Sequence, residues 1–533
     1  MIHELPIYLL LIVSILLLIM LAKQIRVAYP IVLVLGGLAV SFIPALPKIE
    51  INPELIFVIF LPPLLYEAAW YTSWKEFWRF RRIISSFAFL IVILTSCLVA
   101  WVSASWIPGF TLALGFLLGG IVSPPDAVSA SAIMQNVKVN KNFRAIIEGE
   151  SLLNDASSLV VFRFALIAVT TGQFVLQKAC TNFCWVIVAG IGIGLAVAYV
   201  FYWLHRLLPT DANMDIVLTL VAPYAMYIAA ESIHVSGVLA VVSGGLFLSD
   251  RAHIILSNQS RIQGYGVWAA LGFVLNGLVF MLIGLQLPNV VAHLGSISLS
   301  EAIGYGVLIT GVLVVGRILS AFGSIWVTQF SIRYFGLKSV APNWRVALVF
   351  GWAGMRGVVS LAAALSIPPF LESGEAFPQR NLILFITFVV ILLTLVIQGL
   401  SLSWLIKKLK ITEPNLHEIE DGHDRDIQHR LAEKSLQYLQ ENFPQELQSH
   451  PYLKQLANKW KHMHQILEDE VMTAEYKNAY FKMLDAQREW LREWNKEFEM
   501  EDGIIRKHLM RIDLEEAKMR LSYGSGGSGN GHS

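Results

Sequence analysis

Thirteen long apolar runs, separated by short polar segments, fill residues 1–405 of this 533-residue chain and limit what it can fold into. They lie near 5–22, 30–46, 54–71, 83–107, 111–132, 146–171, 182–205, 214–232, 235–249, 265–287, 302–330, 344–367 and 381–405. A bilayer's hydrocarbon core is crossed by about 20 apolar residues in helical form. Helix is required because each backbone N–H and C=O in lipid must find its partner within the segment. The runs therefore predict an all-α polytopic membrane protein with about 13 transmembrane helices. The ninth run is short and could merge with the eighth into one hairpin. Residues 5–22 read as the first span rather than a removable leader, because neither a basic stretch nor a small-residue cleavage site accompanies them.

The character of the chain changes near residue 411. Only 15% of the whole is charged, against about 25% in soluble domains, and much of that charge lies beyond 411. The segments LAEKSLQYLQENF (431–443) and YLKQLANKWKHMHQIL (452–467) have helical periodicity. Trp460, Trp490 and Trp494 suggest packing. The expected organisation is a transmembrane domain over 1–410, a cytoplasmic helical domain over 411–520, and a linker- or tag-like Gly/Ser-rich end over 521–533. A net charge of +1 gives no reason to expect a nucleic-acid partner. Cys97, Cys180 and Cys184 form no metal motif.

Basic residues set the expected orientation. With the N-terminus outside, the inward loops carry 18 Lys and Arg, from Lys23 and Arg26 to Lys407, Lys408 and Lys410. The outward loops carry three: Lys48, Lys178 and Arg380. A wrong helix count would scramble this alternation, so the asymmetry supports thirteen spans with the tail inside.

Two runs carry helix-breaking chemistry. The fifth contains SPPDAVS (123–129), with two prolines, after Gly119–Gly120. The twelfth contains GWAGMRG (351–357), with three glycines around Arg356. If runs 1–6 and 8–13 are repeats, both breaks fall fifth in their half. The offset of seven is odd, so the halves have opposite topology. Broken helices at matching positions of inverted repeats point to a secondary transporter with its site at the breaks.

An ionisable side chain at mid-bilayer costs roughly 2.5–3.5 kcal/mol on insertion scales, so each should have a partner or a task. Glu67, Asp126, Glu150, Asp155, Arg163, Arg317 and Arg356 are such residues. Ser151 and Asp155 share one helix face in EGESLLNDASSLVVFRF (148–164), and Glu150 and Asn154 share the next. Carboxylate, amide and hydroxyl oxygens suit sodium or lithium, with no imidazole or thiolate cluster to favour a transition metal. Asp155, Asn154 and Ser151 offer such oxygens for a sodium ion. Asp126 and Arg356 should offset the exposed ends of the half-helices. Arg317 should pair with Glu150. Arg163 reads as a packing ion pair or a snorkelling group, and Glu67 as a residue of the ion path or its entrance.

These residues carry a resemblance. FLPPLLYEAAW (60–70), SPPDAVS (123–129), EGESLLND (148–155), GR at 316–317 and GMRG at 354–357 occur in the order found in the cation/proton antiporter family, which holds bacterial and animal sodium/proton exchangers. The resemblance implies that Asn154 and Asp155 hold the ion site, with Ser151 nearby. It implies supporting roles for Glu150, Asp126, Arg317 and Arg356, and places Glu67 at the family's third-helix acidic position. It also implies a homodimer. SPPD departs from members that have Thr or Val near the Asp, which removes the expectation of a hydroxyl ligand there.

The expected function is exchange of a monovalent cation, sodium or lithium first, for a proton by alternating access in the cell membrane, with no cofactor. Withdrawal from water favours the neutral form of a carboxyl group and lets proton and cation compete for it. Asn154 in place of a second acid suggests one cation for one proton, an electroneutral exchange. The alternatives are potassium/proton antiport or a gated cation channel with a polar core. The outward loops are too short for a receptor's ligand domain. No nucleophile–base pair or metal motif indicates an enzyme.

Overall fold

The computed structural model of the chain describes residues 5–25, 27–42, 58–134, 141–172, 176–292, 297–335, 344–371 and 374–409, then 432–445, 474–494 and 511–519, with a few single positions besides. The chain divides into two compact units, Met1–Glu413 and Pro414–Ser533.

The first unit is helical throughout its regular elements. These are α1 (Leu5–Gln24), α2 (Tyr29–Ser41), α3 (Leu61–Tyr71), α4 (Trp74–Trp106), α5 (Leu112–Val122), α6 (Ala127–Met134), α7 (Lys141–Thr171) and α8 (Leu176–Leu207). There follow α9 (Ala212–Glu231), α10 (Gly237–Ile255), α11 (Asn258–Ala292), α12 (Leu299–Phe335), α13 (Trp344–Trp352), α14 (Val358–Leu365) and α15 (Arg380–Lys408). Among the described residues, each of the thirteen apolar runs holds one helix, except the fifth (α5, α6) and the twelfth (α13, α14), which hold two halves. Among the described residues, eight helices are long and apolar enough to cross a membrane, and α1, α2 and α5 contribute shorter apolar stretches. The short ninth run is a separate helix, α10, turned back from α9 through residues 232–236.

Several helices outrun their apolar stretches. α7 begins at Lys141 and α11 at Asn258, each with polar first turns. Hydropathy marks the part that lies in lipid, not where the hydrogen-bond ladder starts. Two spans also switch to π geometry: Ser86–Ile91 within α4 and Thr394–Gln398 within α15. Short π stretches inside α-helices often mark functional regions.

Two apolar cores hold the unit together. One runs through α1, α2, α5, α11, α12 and α15, and includes Leu33, Leu117, Phe280, Ile309 and Phe388. The other joins α3 with α8, α9 and α10 through Tyr66, Phe201, Met226 and Val241. Close backbone approach tightens α2 against α11, where a Cβ at Gly284 would meet the Val34 carbonyl oxygen at 2.2 Å. Outward-facing Trp101, Trp106 and Trp185 remain exposed, as lipid contact permits.

The second unit is helical at 432–442, Ala474–Trp494 and 511–519. Arg488 joins the last two through Asp513 at 2.9 Å and through Glu516. Leu484 and Leu491 are buried there, whereas Trp490 is half exposed. Most of 452–467, with Trp460, and the whole of 521–533 lie outside the described residues.

Candidate functional site

The two broken spans meet at their breaks. α5 ends at Val122 and α6 starts at Ala127; α13 ends at Trp352 and α14 starts at Val358. Between them, the Asp126 backbone N–H donates to the Met355 carbonyl at 2.7 Å. Each interruption thus supplies a hydrogen-bond partner to the other, as backbone withdrawn from water requires.

The charged residues at the breaks neutralise helix ends. Asp126, half-buried, accepts from the Val128 and Ser129 backbone N–H groups at 3.1 Å each and from the Ser129 hydroxyl. It therefore caps α6, placing a negative charge at a positive helix end. Arg356 is fully buried and reaches across to the other broken span. Its Nε donates to the Val122 carbonyl at 2.8 Å and its Nη2 to the Ser123 carbonyl at 3.4 Å, at the C-terminal end of α5. Its Nη1 donates to Gly354 O, and its backbone N–H to the Thr394 hydroxyl at 3.1 Å in the π stretch of α15. One guanidinium thus donates to carbonyls of both breaks.

Small residues make room for these charges. A Cβ on Gly357 would lie 2.5 Å from Asp126 Cγ, and one on Gly354 would lie 2.3 Å from Arg317 Cδ. The glycines of GMRG serve close approach, a role the sequence suggested only as helix breaking.

α7 lines one side of the crossing, packed on α5 so closely that a Cβ on Gly120 would meet the Phe162 backbone nitrogen at 2.7 Å. Asp155 and Asn154 are buried on it. Asn154 Nδ2 donates to the Pro125 carbonyl at 3.1 Å, so the amide is anchored to the first break. Its Oδ1 is buried with no hydrogen-bond partner among the described residues. The next residue, Asp155, is buried, and its carbonyl accepts the Ser158 hydroxyl at 2.9 Å. Ser151 is half-buried one turn before Asp155.

Behind this face, Arg317 of α12 forms a bidentate pair with Glu150 of α7, both bonds 2.9 Å. Both side chains are almost fully buried, and the guanidinium carbon lies 5.8 Å from the Phe350 ring centre. Ser157 donates to the Ala88 carbonyl in the π stretch of α4, tying α7 to that irregular turn.

Two of the singled-out residues sit apart from the crossing. Arg163 pairs with Glu231 of α9 at 2.6 Å beside a cavity of about 490 Å³ lined by Leu159, Tyr227 and Ser236. Glu67 is half-buried on α3 with its carboxylate against Gly272 of α11, and no hydrogen bond joins it to the crossing among the described residues. The partners that sequence reasoning missed are Thr394, Ser129 and the carbonyls of Val122, Pro125 and Met355. Thr394, a lone hydroxyl in VVILLTLVIQ, left a faint signal. Backbone carbonyls leave none.

Fold and site together define a multi-span helical membrane protein whose two interrupted helices cross at a buried polar centre. Comparison with known proteins narrows the class. The family described as "Sodium/hydrogen exchanger, transmembrane" matches residues 10–408. A Bacillus subtilis protein named sodium, potassium, lithium and rubidium/H(+) antiporter is 38% identical over 376 residues, covering 68% of this chain and 55% of its own length. The Bacillus pumilus protein of the same name is 35% identical, and the match covers 71% of this chain and 58% of that protein. The chain therefore spans little more than half the length of these two relatives. The low-affinity Na(+)/H(+) antiporter NhaS1 of Synechocystis is 32% identical over 471 residues, covering 81% and 84% of the two chains. In fold, the chain resembles the solved sodium proton antiporter MjNhaP1 of Methanocaldococcus jannaschii, with a TM-score of 0.59, 19% identity, and coverage of 77% and 99%. The chain belongs to the sodium/hydrogen exchanger family.

Proposed function

We propose that the chain exchanges a monovalent cation, sodium or lithium first, for a proton by alternating access, with Asp155 binding either ion in turn. The observation that carries this reading is a pair of consecutive buried residues on α7: Asp155, and Asn154, whose Nδ2 is anchored to the Pro125 carbonyl at the first break and whose Oδ1 has no partner among the described residues. A hard cation takes oxygen ligands, and Asp155, Asn154 Oδ1 and Ser151 are the oxygens of α7 assigned to it, since Glu150 pairs with Arg317 and the Ser157 and Ser158 hydroxyls donate to the Ala88 and Asp155 carbonyls. When the cation leaves, protonation of the same carboxyl removes a charge that burial would otherwise make costly. Asp126 is committed to capping α6, and Glu150 to Arg317. Of the three carboxylates Asp126, Glu150 and Asp155, one is then left to exchange one positive charge for another, which makes the cycle electroneutral as long as Glu67 on the ion path carries no second proton.

Arg317, Glu150 and Arg356 hold the crossing in shape, and Glu67 lies on the ion path. The protein works as a homodimer in the cell membrane, with the N-terminus outside and the tail in the cytoplasm. Potassium is the second reading, because the two Bacillus relatives are named for potassium as well as sodium. The experiment is proton flux in proteoliposomes of the full chain on addition of sodium, lithium or potassium. Sodium and lithium should drive flux whose rate is unchanged when the membrane potential is clamped, and Asp155→Asn should abolish it. Flux driven by potassium alone would replace the cation assignment. Flux that follows the potential would end the one-for-one scheme.

A further inference from the structure

We propose that the first twelve residues of α4, Trp74–Ser85, form a docking surface for anionic phospholipid headgroups, and that lipid bound there tunes the ion-carrying helix α7.

Helix length comes first. α4 has 33 residues, which at the helical rise makes about 50 Å, against a hydrocarbon core of about 30 Å. More than a third of it must lie outside the hydrocarbon. Composition decides which end. Val92–Trp106 contains no charged residue, whereas Trp74–Ser85 carries Lys75, Arg79, Arg81 and Arg82 against a single Glu76. The Ser73 hydroxyl accepts the Glu76 backbone N–H at 3.4 Å and fixes where the helix starts. This end therefore sits at headgroup level.

Its exposed surface is built as two neighbouring stripes. Lys75, Arg79 and Arg82 recur at i, i+4 and i+7 and so share a face. Trp74, Trp78 and Arg81 recur likewise on the adjoining face. Trp74 is 41% and Trp78 53% exposed, and their rings stack at 5.5 Å. Arg81 lies 4.6 Å over the Trp78 ring and donates to the Trp78 carbonyl at 2.8 Å, so this guanidinium is held at the aromatic surface. Among the described residues no carboxylate pairs with any of the four cations. A surface of stacked tryptophans beside cations that no carboxylate among the described residues neutralises, held at the membrane boundary, complements lipid phosphate. Indole rings favour the headgroup zone, and basic side chains are attracted to an anionic leaflet.

The opposite face of the same segment touches the transport machinery. Ile84 is fully buried, and a Cβ on Gly149 of α7 would lie 2.6 Å from Ile84 Cδ1 and 3.4 Å from Phe77 Cδ2. Gly149 adjoins Glu150, the partner of Arg317. A headgroup that draws Trp74–Ser85 toward the leaflet therefore bears on α7 beside its buried ion pair. An ordinary interfacial girdle would orient the protein without this second contact.

The test uses the full chain in phosphatidylcholine vesicles, with part of the lipid replaced by phosphatidylglycerol. A photoactivatable phosphatidylglycerol should label peptide 74–85, and labelling should fall at least about fivefold in K75Q/R79Q/R81Q/R82Q. Photoactivatable phosphatidylcholine should label both proteins alike. Added choline chloride should weaken phosphatidylglycerol labelling of the wild type by screening, a check that needs no variant. Phosphatidylglycerol should also raise cation-driven proton flux in the wild type and not in the variant, whose rate in phosphatidylcholine matches wild type. Labelling confined to other segments, or equal labelling of wild type and variant, would overturn the site. A flux response retained in the variant, or absent in the wild type, would overturn the coupling. Labelling requires no transport, so failure of the exchange assignment would show separately.

Discussion

At the scale of the residue, the crossing is a set of charges that each need a fixed partner. Arg317 and Glu150 are buried together and bond through both oxygens. Removing one partner of such a pair strands a charge and costs about 3–5 kcal/mol. Arg317→Ala should therefore lower folded yield and thermal midpoint, and the double change Glu150→Gln with Arg317→Gln should recover part of the loss. A single variant as stable as wild type would contradict a structural role for the pair. This contact was legible in the sequence, because a charge within a long apolar run must find an opposite one and few were on offer. The reach of Arg356 to Val122 and Ser123 was not. Its acceptors are backbone carbonyls more than 230 positions away, whose chemistry is the same at every residue.

At the scale of the element, broken helices and small residues decide where charges can sit. Gly357 leaves room for the Asp126 side chain. Gly357→Ala would press on Asp126 and the α6 cap, costing about 1–3 kcal/mol as overpacking does, and should slow exchange. Gly311, with nothing within 4 Å of its Cβ position, supplies the control, since Gly311→Ala should leave midpoint and rate near wild type. Equal behaviour of the two variants would mean that the crossing tolerates displacement of Asp126. The breaks themselves were legible, because prolines and clustered glycines interrupt a helical ladder wherever they fall. The π stretches of α4 and α15 were not. SFAFLI and TLVIQ are ordinary apolar sequence, and their geometry arises from packing.

At the scale of the whole molecule, the thirteen apolar runs hold, among the described residues, eleven continuous helices and two broken ones. Spans were legible because lipid permits one backbone solution to a long apolar run. Their ends were less so, since polar turns extend α7 and α11 beyond the apolar stretch. Orientation is a proposal from charge: 18 basic residues against three in alternate loops predict a cytoplasmic tail under the positive-inside rule. A reporter fused after residue 420 should be active only as a cytoplasmic marker. Activity as an external marker would require a different number of spans.

The central claim is that one carboxyl group, Asp155, holds the proton or the cation and never both. Proton release on cation binding tests it without transport. Purified protein in weakly buffered solution, given sodium or lithium, should release about one proton per bound cation, since exchange at a single carboxyl is one for one. Asp155→Asn should release none while keeping its thermal midpoint. Sodium binding to the wild type without proton release, or undiminished release from Asp155→Asn, would contradict the account.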